Sequence, residues 1–337
     1  MQSVIREGAG GPEVLRLVER AVPEPGPGEV RVRVHVSGVN PTDWRSRRRA
    51  LPPGMGEQVP HQDGAGVIDA VGPGVDPARA GERVWVWEAA WQRPWGTAQQ
   101  YTLVPHRQAV ALPGHAPYDL GAALGIPALT AHRALTVHEG GTGRIGPGAL
   151  RDATVLVAGG AGAVGNAAVQ LARWAGARVV TTVSGPAKAT LAHAAGAHRV
   201  VDYRAQDAEA EIRAFAPEGV DIVVEVAPGA NAALDAAVTA PGAVVAYYAG
   251  GEDEHLSVPV LASLPANLRW QSVFVYTVRP AAKRQAVTDV AAAVEAGALR
   301  VGEDAGLPLH RFPLERAADA HAALEAGVVG KILLDIP

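Results

Sequence analysis

The chain has 337 residues, of which 48% are hydrophobic and 19% charged, and its formal net charge is −4 at pH 7. This length suits two domains, and the composition excludes a disordered chain and offers no basic surface for nucleic acid or a membrane. The absence of cysteine excludes disulfides, thiolate catalysis and thiolate zinc sites. No segment approaches eighteen consecutive apolar residues and the first residues contain no apolar leader, so a cytoplasmic location is expected.

The first third of the chain predicts an all-β domain. Short runs that alternate apolar and polar residues, such as 29–36 and 81–87, are separated by turns rich in proline and glycine. Such runs are typical of the strands of a barrel. One basic cluster is interpreted as a solvated loop, with a site for an anionic group as the alternative: Arg45, Arg47, Arg48 and Arg49.

Residues 150–276 alternate between strand and helix patterns. Strands are predicted at 154–159, 178–183, 198–203, 219–227, 242–249 and 268–276, with helices at 163–175, 187–195, 205–215 and 230–239. Strands joined by helical crossovers predict a parallel, doubly wound α/β sheet, and six strands are what a complete dinucleotide-binding domain requires.

The end of the chain is predicted to return to the first domain. Two helices, at 281–297 and 314–326, precede a last strand at 330–336. A single strand needs a sheet to join, and the N-terminal β domain is the expected partner. The predicted division is therefore residues 1–125 completed by 277–337, with residues 126–276 as the second domain.

A glycine-rich turn joins the strand at 154–159 to the helix at 163–175. It reads G-x-G-x-x-G at Gly160, Gly162 and Gly165, with Ala163 and Val164 between the last two. One glycine makes the tight turn, one lets a diphosphate approach the backbone, and one lets the helix pack closely on the strand. The free N–H groups of the helix N-terminus then face the phosphates. The turn predicts a dinucleotide site.

The residues after the second strand of this domain distinguish the two nicotinamide dinucleotides. A site for NAD places an acidic residue there to bind the ribose hydroxyls. This chain has Ser184 and Lys188 instead, and the next acid is Asp202. A hydroxyl and an ammonium suit a 2′-phosphate, whereas a carboxylate would repel it. The sequence therefore predicts NADPH as the cofactor.

With these residues in view, the chain resembles the medium-chain dehydrogenase/reductase superfamily over its whole length, and within it the zinc-independent quinone oxidoreductase, or ζ-crystallin-like, branch. The matching motifs lie at 38–43, 63–72, 81–84, 96–101, 125–131, 160–165 and 330–332. The resemblance implies an α/β fold with a GroES-like β-barrel catalytic domain, a six-stranded Rossmann domain and a cofactor cleft between them.

The chain departs from the zinc alcohol dehydrogenases of that superfamily at the metal ligands. Asn40 stands where those enzymes have a cysteine, and Gln62 stands where they have a histidine. A third ligand and the four-cysteine structural lobe are also missing. His61 alone cannot make a catalytic zinc site, so no metal is expected.

Without a Lewis acid, the negative charge of hydride transfer is best carried by a conjugated acceptor such as a quinone or an enone. By resemblance, the catalytic residues are Asn40 and Thr130, near the nicotinamide and the acceptor. Lys331 is expected near the cofactor, and Tyr203 beside its adenosine phosphate with Ser184 and Lys188. A tyrosine found in relatives after the N-x-x-D motif is replaced by Trp44 and Arg45, which leaves the quinone specificity open.

Four tryptophans lie at 85, 87, 91 and 95. Trp85 and Trp87 share one face of a strand and are interpreted as core, whereas Trp91 and Trp95, with Trp44, are candidates for stacking an aromatic acceptor.

The first hypothesis is thus an NADPH-dependent, metal-independent quinone reductase. The alternatives are an enoyl or alkenal double-bond reductase and a non-catalytic NADPH-binding or sensor protein. The resemblance also implies a homodimer formed by edge strands.

Overall fold

The computed structural model describes residues 1–337. The strands, in chain order, are β1 (Gln2–Ile5), β2 (Arg16–Glu19), β3 (Glu29–Val39), β4 (Asp63–Val71), β5 (Arg83–Val86), β6 (Tyr101–Pro105), β7 (Ala109–Ala111), β8 (Thr154–Ala158), β9 (Arg178–Val183), β10 (Arg199–Asp202), β11 (Val220–Glu225), β12 (Thr239–Tyr247), β13 (Arg269–Ser272), β14 (Leu309–Pro313) and β15 (Lys331–Asp335). The helices are α1 (Pro41–Arg47), α2 (Tyr118–Gly121), α3 (Gly125–Leu135), α4 (Ala163–Trp174), α5 (Pro186–Ala194), α6 (Ala208–Phe215), α7 (Pro228–Val238), α8 (Val260–Ser263), α9 (Pro280–Glu295) and α10 (Ala317–Glu325). No helix is both long enough and apolar enough to cross a membrane.

The chain divides into two units. The first contains residues 1–126 and 308–337, and its main sheet has seven strands in the order β14-β15-β3-β4-β5-β7, with β6 also paired to β3. The long strand β3 explains how this sheet forms a core. Its valines at 30, 32, 34 and 36 are buried on one face, as the period of two residues in a strand requires. The tryptophans at 85 and 87 are also buried, as expected for core residues.

The last strand lies inside the sheet of the first unit. β15 pairs antiparallel with β3 and parallel with β14, so the C-terminal segment separates those two strands. Ile332, Leu333 and Leu334 are completely buried there. The sheet that the last strand needs is therefore the one formed by the beginning of the chain.

The second unit, residues 127–307, contains the predicted six-stranded parallel sheet in the order β10-β9-β8-β11-β12-β13. The order reverses between β8 and β11, as in a dinucleotide-binding fold. β-branched and apolar residues dominate β8 and β9, which are buried from both faces by helices. The fold class predicted from the sequence is confirmed.

The boundary of the units differs from the predicted division for one segment. Residues 277–307 belong to the second unit, whereas the prediction joined them to the first. The physical reason is a set of hydrogen bonds between residues 277–307 and the rest of the second unit. Asp289 of α9 accepts hydrogen bonds from the backbone N–H of Ile145 (2.8 Å) and bonds His132 Nε2 (2.9 Å). Asn166 donates to the carbonyl of Ala305 (2.7 Å). These contacts link residues that are far apart in sequence.

Candidate functional site

The glycine turn of the second unit has the geometry of a diphosphate cradle. A methyl group at Gly160 would lie 2.2 Å from Thr181 Oγ1, and one at Gly165 would lie 2.3 Å from the carbonyl oxygen of Gly159. Glycine at both positions is therefore a packing requirement. At Gly162 a methyl group would have one atom within 4 Å, the Gly159 carbonyl oxygen at 3.5 Å, so it fits there in ordinary van der Waals contact. Gly162 is the N-cap of α4 and no side chain caps that helix end. The cradle suits the phosphates of a dinucleotide.

These glycines allow a matched test. Gly165→Ala is expected to lower stability by about 1–3 kcal/mol, because the added methyl group overlaps the backbone of the turn. Gly162→Ala is expected to unfold like the parent chain without ligand, because its methyl group fits, yet to bind NADPH more weakly, because that methyl group lies where the diphosphate is expected to approach the backbone. Thermal unfolding without ligand and a fluorescence titration with NADPH measure the two effects. Unchanged NADPH affinity in Gly162→Ala would contradict this placement of the phosphates.

The structure brings Ser184, Lys188 and Tyr203 to the same end of the sheet as the glycine turn. Lys188 Nζ donates to Ser184 Oγ (2.9 Å), just after β9. The backbone N–H of Tyr203, after β10, donates to the carbonyl of Val183 (3.1 Å), and the Tyr203 side chain is 52% exposed. A hydroxyl, an ammonium and an exposed aromatic ring therefore meet at the carboxyl ends of neighbouring strands.

In the first unit, Asn40 is the centre of a buried polar network. Its Nδ2 donates to Asp63 Oδ2 (2.7 Å) and its Oδ1 accepts from Lys331 Nζ (2.6 Å). Lys331 lies 3.8 Å from the same Asp63 oxygen. Asp63 is completely buried and Lys331 is 2% exposed. The amide oxygen and one N–H are used in these bonds, the second N–H makes no bond within this network, and Asn40 is 2% exposed.

The N-x-x-D motif at residues 40–43 adds Asp43 to this network. The backbone N–H of Asn40 donates to Asp43 Oδ2 (2.7 Å), so the motif is a capping box at the start of α1. The Asp63 carboxylate also accepts from the backbone N–H of Ile126 (2.9 Å) at the start of α3. A methyl group at Gly125 would lie 2.1 Å from that carboxylate, which explains the glycine.

Burial dominates the ionisation of this network. Burial, with the nearby Asp63 charge, raises the pKa of Asp43 to about 8, against the hydrogen bond from the Asn40 backbone. Burial raises the pKa of Asp63 to about 6, although Lys331, the Ile126 N–H and the Asn40 amide favour its charged form. Burial also lowers the pKa of Lys331, opposed by the two carboxylates. The three groups are therefore mutually dependent, and removing one charge changes the others.

The remaining predicted site residues lie in separate places. Thr130 is buried on α3 in the second unit. Trp44 lies against Arg48 (5.0 Å from guanidinium carbon to ring centre) and Arg45 (5.6 Å). Trp95 lies against Arg20 (4.9 Å). Trp91 is half-buried in the same loop as Trp95. Trp44 and Trp95 thus contact different arginines, and each remains a proposed contact for an acceptor.

The basic cluster is solvated at Arg45, Arg48 and Arg49, which are exposed, but not at Arg47. Arg47 is the last residue of α1 and is completely buried, where it bonds His321 Nδ1 (3.1 Å) and pairs with Glu325. Arg48 pairs with the other Glu325 oxygen (2.7 Å). The charge pattern alone suggests solvent exposure, and no local signal in the sequence points to partners more than 270 residues away.

No group of three or more histidine, cysteine, aspartate or glutamate side chains could hold a metal ion. The positions of the zinc ligands in the alcohol dehydrogenases carry amides instead. Asn40 is bound to Lys331 and Asp63, and the Oε1 atom of Gln62 is buried without a hydrogen-bond partner. This set of donors does not fit a zinc ion.

Each of the two units contains residues that match a model of a known protein family. Residues 26–114 match the family model described as alcohol dehydrogenase GroES-like domain, and residues 163–293 match zinc-binding dehydrogenase. The human protein named quinone oxidoreductase is 30% identical over 335 residues, covering 96% of this chain and 94% of its own length.

Two solved structures give the same architecture. A mycobacterial protein complexed with NADPH is 28% identical, with a TM-score of 0.80 and 99% coverage of each chain. A protein described as an NAD-dependent alcohol dehydrogenase is also 28% identical, with a TM-score of 0.84 and complete coverage of both chains. Structures similar to this chain therefore include proteins described with either form of the nicotinamide cofactor.

Proposed function

Because the chain belongs to the medium-chain dehydrogenase/reductase superfamily, among its quinone oxidoreductases, we propose that it reduces a quinone with NADPH and without a metal. The family makes it an oxidoreductase. The observation that supports NADPH is the Lys188–Ser184 pair at the end of β9, where no carboxylate is available for the ribose hydroxyls of NAD.

The proposed cofactor site uses residues of the second unit. The backbone at Gly160, Gly162, Ala163, Val164 and Gly165 would bind the diphosphate, since glycine is required at the turn and α4 begins there with no side-chain cap. Ser184 and Lys188 would bind the 2′-phosphate, and Tyr203 would flank that phosphate. Bound NADPH supplies the hydride, and the protein supplies binding, orientation and exclusion of water.

The 2′-phosphate site makes a direct prediction. Lys188→Met is expected to weaken NADPH binding about tenfold, because a charge-assisted hydrogen bond contributes about 1.5–3 kcal/mol and part of it is retained by Ser184. Lys188→Glu should weaken it further through repulsion. Binding of NADH, which lacks the phosphate, should change less than about twofold in both variants. Fluorescence titrations of the two cofactors measure this, and equal losses for both would contradict the assignment.

The proposed catalysis follows from charge development on the acceptor. Hydride transfer places negative charge on an oxygen, and a quinone or enone delocalises that charge as it forms. The chain then needs only hydrogen-bond donors near that oxygen. The remaining N–H of Asn40, whose amide is fixed by Lys331 and Asp63, is the first proposed donor, and the Thr130 hydroxyl is the second.

The test of function is NADPH oxidation followed at 340 nm against a panel of quinones and α,β-unsaturated carbonyls, repeated with NADH and with a chelator. Turnover of quinones that is faster with NADPH and indifferent to chelator would support the proposal. Turnover of enones alone would make the protein a double-bond reductase. Tight NADPH binding without any turnover would favour a sensor.

An edge strand and exposed apolar side chains within residues 258–274 support the proposal of a homodimer. β13 is an edge strand of the parallel sheet, and beside it in sequence lie exposed apolar side chains: Val258, Val260, Leu261, Leu264 and Phe274. Pairing of two β13 edges would cover an unpaired strand and these side chains. Light scattering is expected to give twice the 34.7 kDa mass of the chain, and a monomer at micromolar concentration would contradict the proposal.

A further inference from the structure

A second buried network in the first unit forms an unbroken chain of side-chain hydrogen bonds. Its links are Arg47 Nη1 to His321 Nδ1 (3.1 Å), His321 Nε2 to His61 Nε2 (2.9 Å), His61 Nδ1 to Ser37 Oγ (2.9 Å), Ser37 Oγ to Thr97 Oγ1 (2.7 Å) and Thr97 Oγ1 to the carbonyl of Asp63 (2.6 Å). All five side chains that precede Asp63 are completely buried. We call this set the histidine chain.

The two ends of the histidine chain determine the position of every hydrogen in it. The Asp63 carbonyl can only accept, so Thr97 donates its hydroxyl hydrogen there and must accept from Ser37. Ser37 in turn accepts from His61 Nδ1–H. At the other end, the Arg47 guanidinium can only donate, so His321 Nδ1 accepts and His321 Nε2–H donates to His61. The constraints from the two ends require the same neutral tautomers: Nδ1–H for His61 and Nε2–H for His321.

A proton added to either histidine would break this pattern. It would place two N–H groups face to face, at the His61–His321 contact or at the Arg47–His321 contact. The charged groups around the pair act mostly in the same sense. His61 faces His321 and Lys331, and burial lowers its pKa well below the ordinary value. Burial, with Arg47 and Arg6 and against Glu325, lowers the pKa of His321 to about 3. Both rings are neutral at pH 7.

The backbone at His61 adopts a conformation that residues other than glycine rarely adopt without support from their surroundings. His61 has φ of 78°, in the left-handed region that disfavours residues other than glycine. Its side-chain hydrogen bonds on both ring nitrogens hold this conformation. Two residues later, Asp63 receives the end of the histidine chain on its carbonyl and the Asn40 amide on its carboxylate. Ser37, inside the chain, lies three residues before Asn40 on β3.

The histidine chain has no terminal group that could take part in proton transfer. It begins at a guanidinium, which keeps its protons, and ends at a backbone carbonyl, which cannot carry one onward. These residues therefore cannot carry a proton from the surface to the reacting atoms, and a positioning role remains.

We propose that His61 and His321 are positioning residues, which fix the Asp63 peptide and through it the orientation of the Asn40 amide. This inference rests on the proposed function, because it assigns Asn40 to the reacting oxygen. It adds a set of residues from α1, α10, β3 and the loops that precede β4 and β6, which act through the Asp63 peptide.

The first test measures the tautomers in the unmodified protein. ¹⁵N chemical shifts of ¹⁵N-histidine-labelled protein at pH 7 distinguish Nδ1–H from Nε2–H, and signals are assigned by their loss in His61→Gly and His321→Gln. We expect neutral rings with Nδ1–H at His61 and Nε2–H at His321. A charged ring, or the opposite tautomer at either position in the parent protein, would overturn the proposal.

The second test compares two variants of one residue. His321→Gln keeps a donor and an acceptor, whereas His321→Leu removes both. In ¹⁵N-asparagine-labelled protein, which has four asparagines, the Asn40 amide signals are identified by their loss in Asn40→Asp. We expect one sharp pair in the parent chain and in His321→Gln, and a shifted or broadened pair in His321→Leu. Unchanged Asn40 signals in a folded His321→Leu would overturn the proposal.

Kinetics then relate the position of the amide to the reaction. In His321→Leu, kcat with the acceptor is expected to fall about tenfold or more, since small displacements of a catalytic group have large effects on rate. NADPH affinity should be unchanged, and His321→Gln should recover most of kcat. A failure of the proposed function would appear differently: the parent chain itself would turn over no acceptor, while the Asn40 signals would still respond to His321→Leu.

Discussion

Lys331→Met is expected to destabilise the first unit by about 3–5 kcal/mol near pH 8, because it leaves a buried carboxylate without its counter-charge. Lys331 Nζ donates to Asn40 Oδ1 and lies 3.8 Å from Asp63, and Asp43 adds a second acid to the network. The pKa of Asp63 is already raised to about 6 by burial, and it will rise further without the ammonium. Proton uptake then relieves part of the loss, so the effect should be smaller at pH 5 than at pH 8.

Denaturant unfolding followed by tryptophan fluorescence measures this effect, because five of the seven tryptophans lie in the first unit. The matched control is Lys331→Met combined with Asp63→Asn, which removes both charges and should regain at least half of the lost free energy of unfolding. A single variant as unstable at pH 5 as at pH 8, or a double variant less stable than the single one, would argue against a buried charge as the cause.

The second large effect concerns the pH dependence of the histidine chain. The folded pKa of His321 is about 3, below its ordinary value of 6.5. The unfolded chain therefore takes up a proton below pH 6.5 that the folded chain refuses, and the stability that His321 contributes is present above pH 6.5 and lost as pH falls toward 3. The loss is about 1.4 kcal/mol for each pH unit. Asp43 and Asp63, whose folded pKa values are raised, act in the opposite direction over part of this range.

A comparison of two chains separates these opposing effects. His321→Gln lacks the His321 ring but keeps His61 and both carboxyl groups, so the difference in stability between the two chains reports on His321 and its contact with His61. We expect the parent to be more stable at pH 7.5 and the difference to narrow by about 1.4 kcal/mol per pH unit between pH 6 and pH 4. Denaturant unfolding of both chains at four pH values is sufficient. A constant difference would mean that His321 is charged in the folded chain or titrates with its ordinary pKa.

The local elements of the second unit could be predicted because their signals are local. The β-branched run of β8, the three glycines and the helical spacing of α4 lie within 21 consecutive residues, from 154 to 174. Gly160 and Gly165 have the steric reason that the motif implies, as the 2.3 Å approach of a methyl group at Gly165 to the Gly159 carbonyl oxygen shows. The pairing of Lys188 with Ser184 also spans only four residues.

The parts that could not be predicted depend on long-range contacts. His61 and His321 are 260 residues apart, and neither has a pattern around it that indicates a buried partner. Arg47 belongs to a run of arginines whose composition indicates solvent, yet its position on the inner side of α1 buries it against α10. The placement of residues 277–307 depends on the Asp289 contacts with Ile145 and His132, which sequence spacing does not reveal.

The position of β15 between β14 and β3 has a consequence for synthesis on the ribosome. The second unit is one continuous stretch, 127–307, and all its strands have been made before β14 and β15 emerge. The first unit then still lacks an interior strand, Lys331 and the His321 end of the histidine chain. We therefore expect the nascent protein to fold its dinucleotide-binding unit first, while β3 keeps an unpaired edge and the Asp63 carboxylate has no ammonium partner. The strands at the beginning of the chain, although translated earliest, are then expected to be the last to reach their final structure.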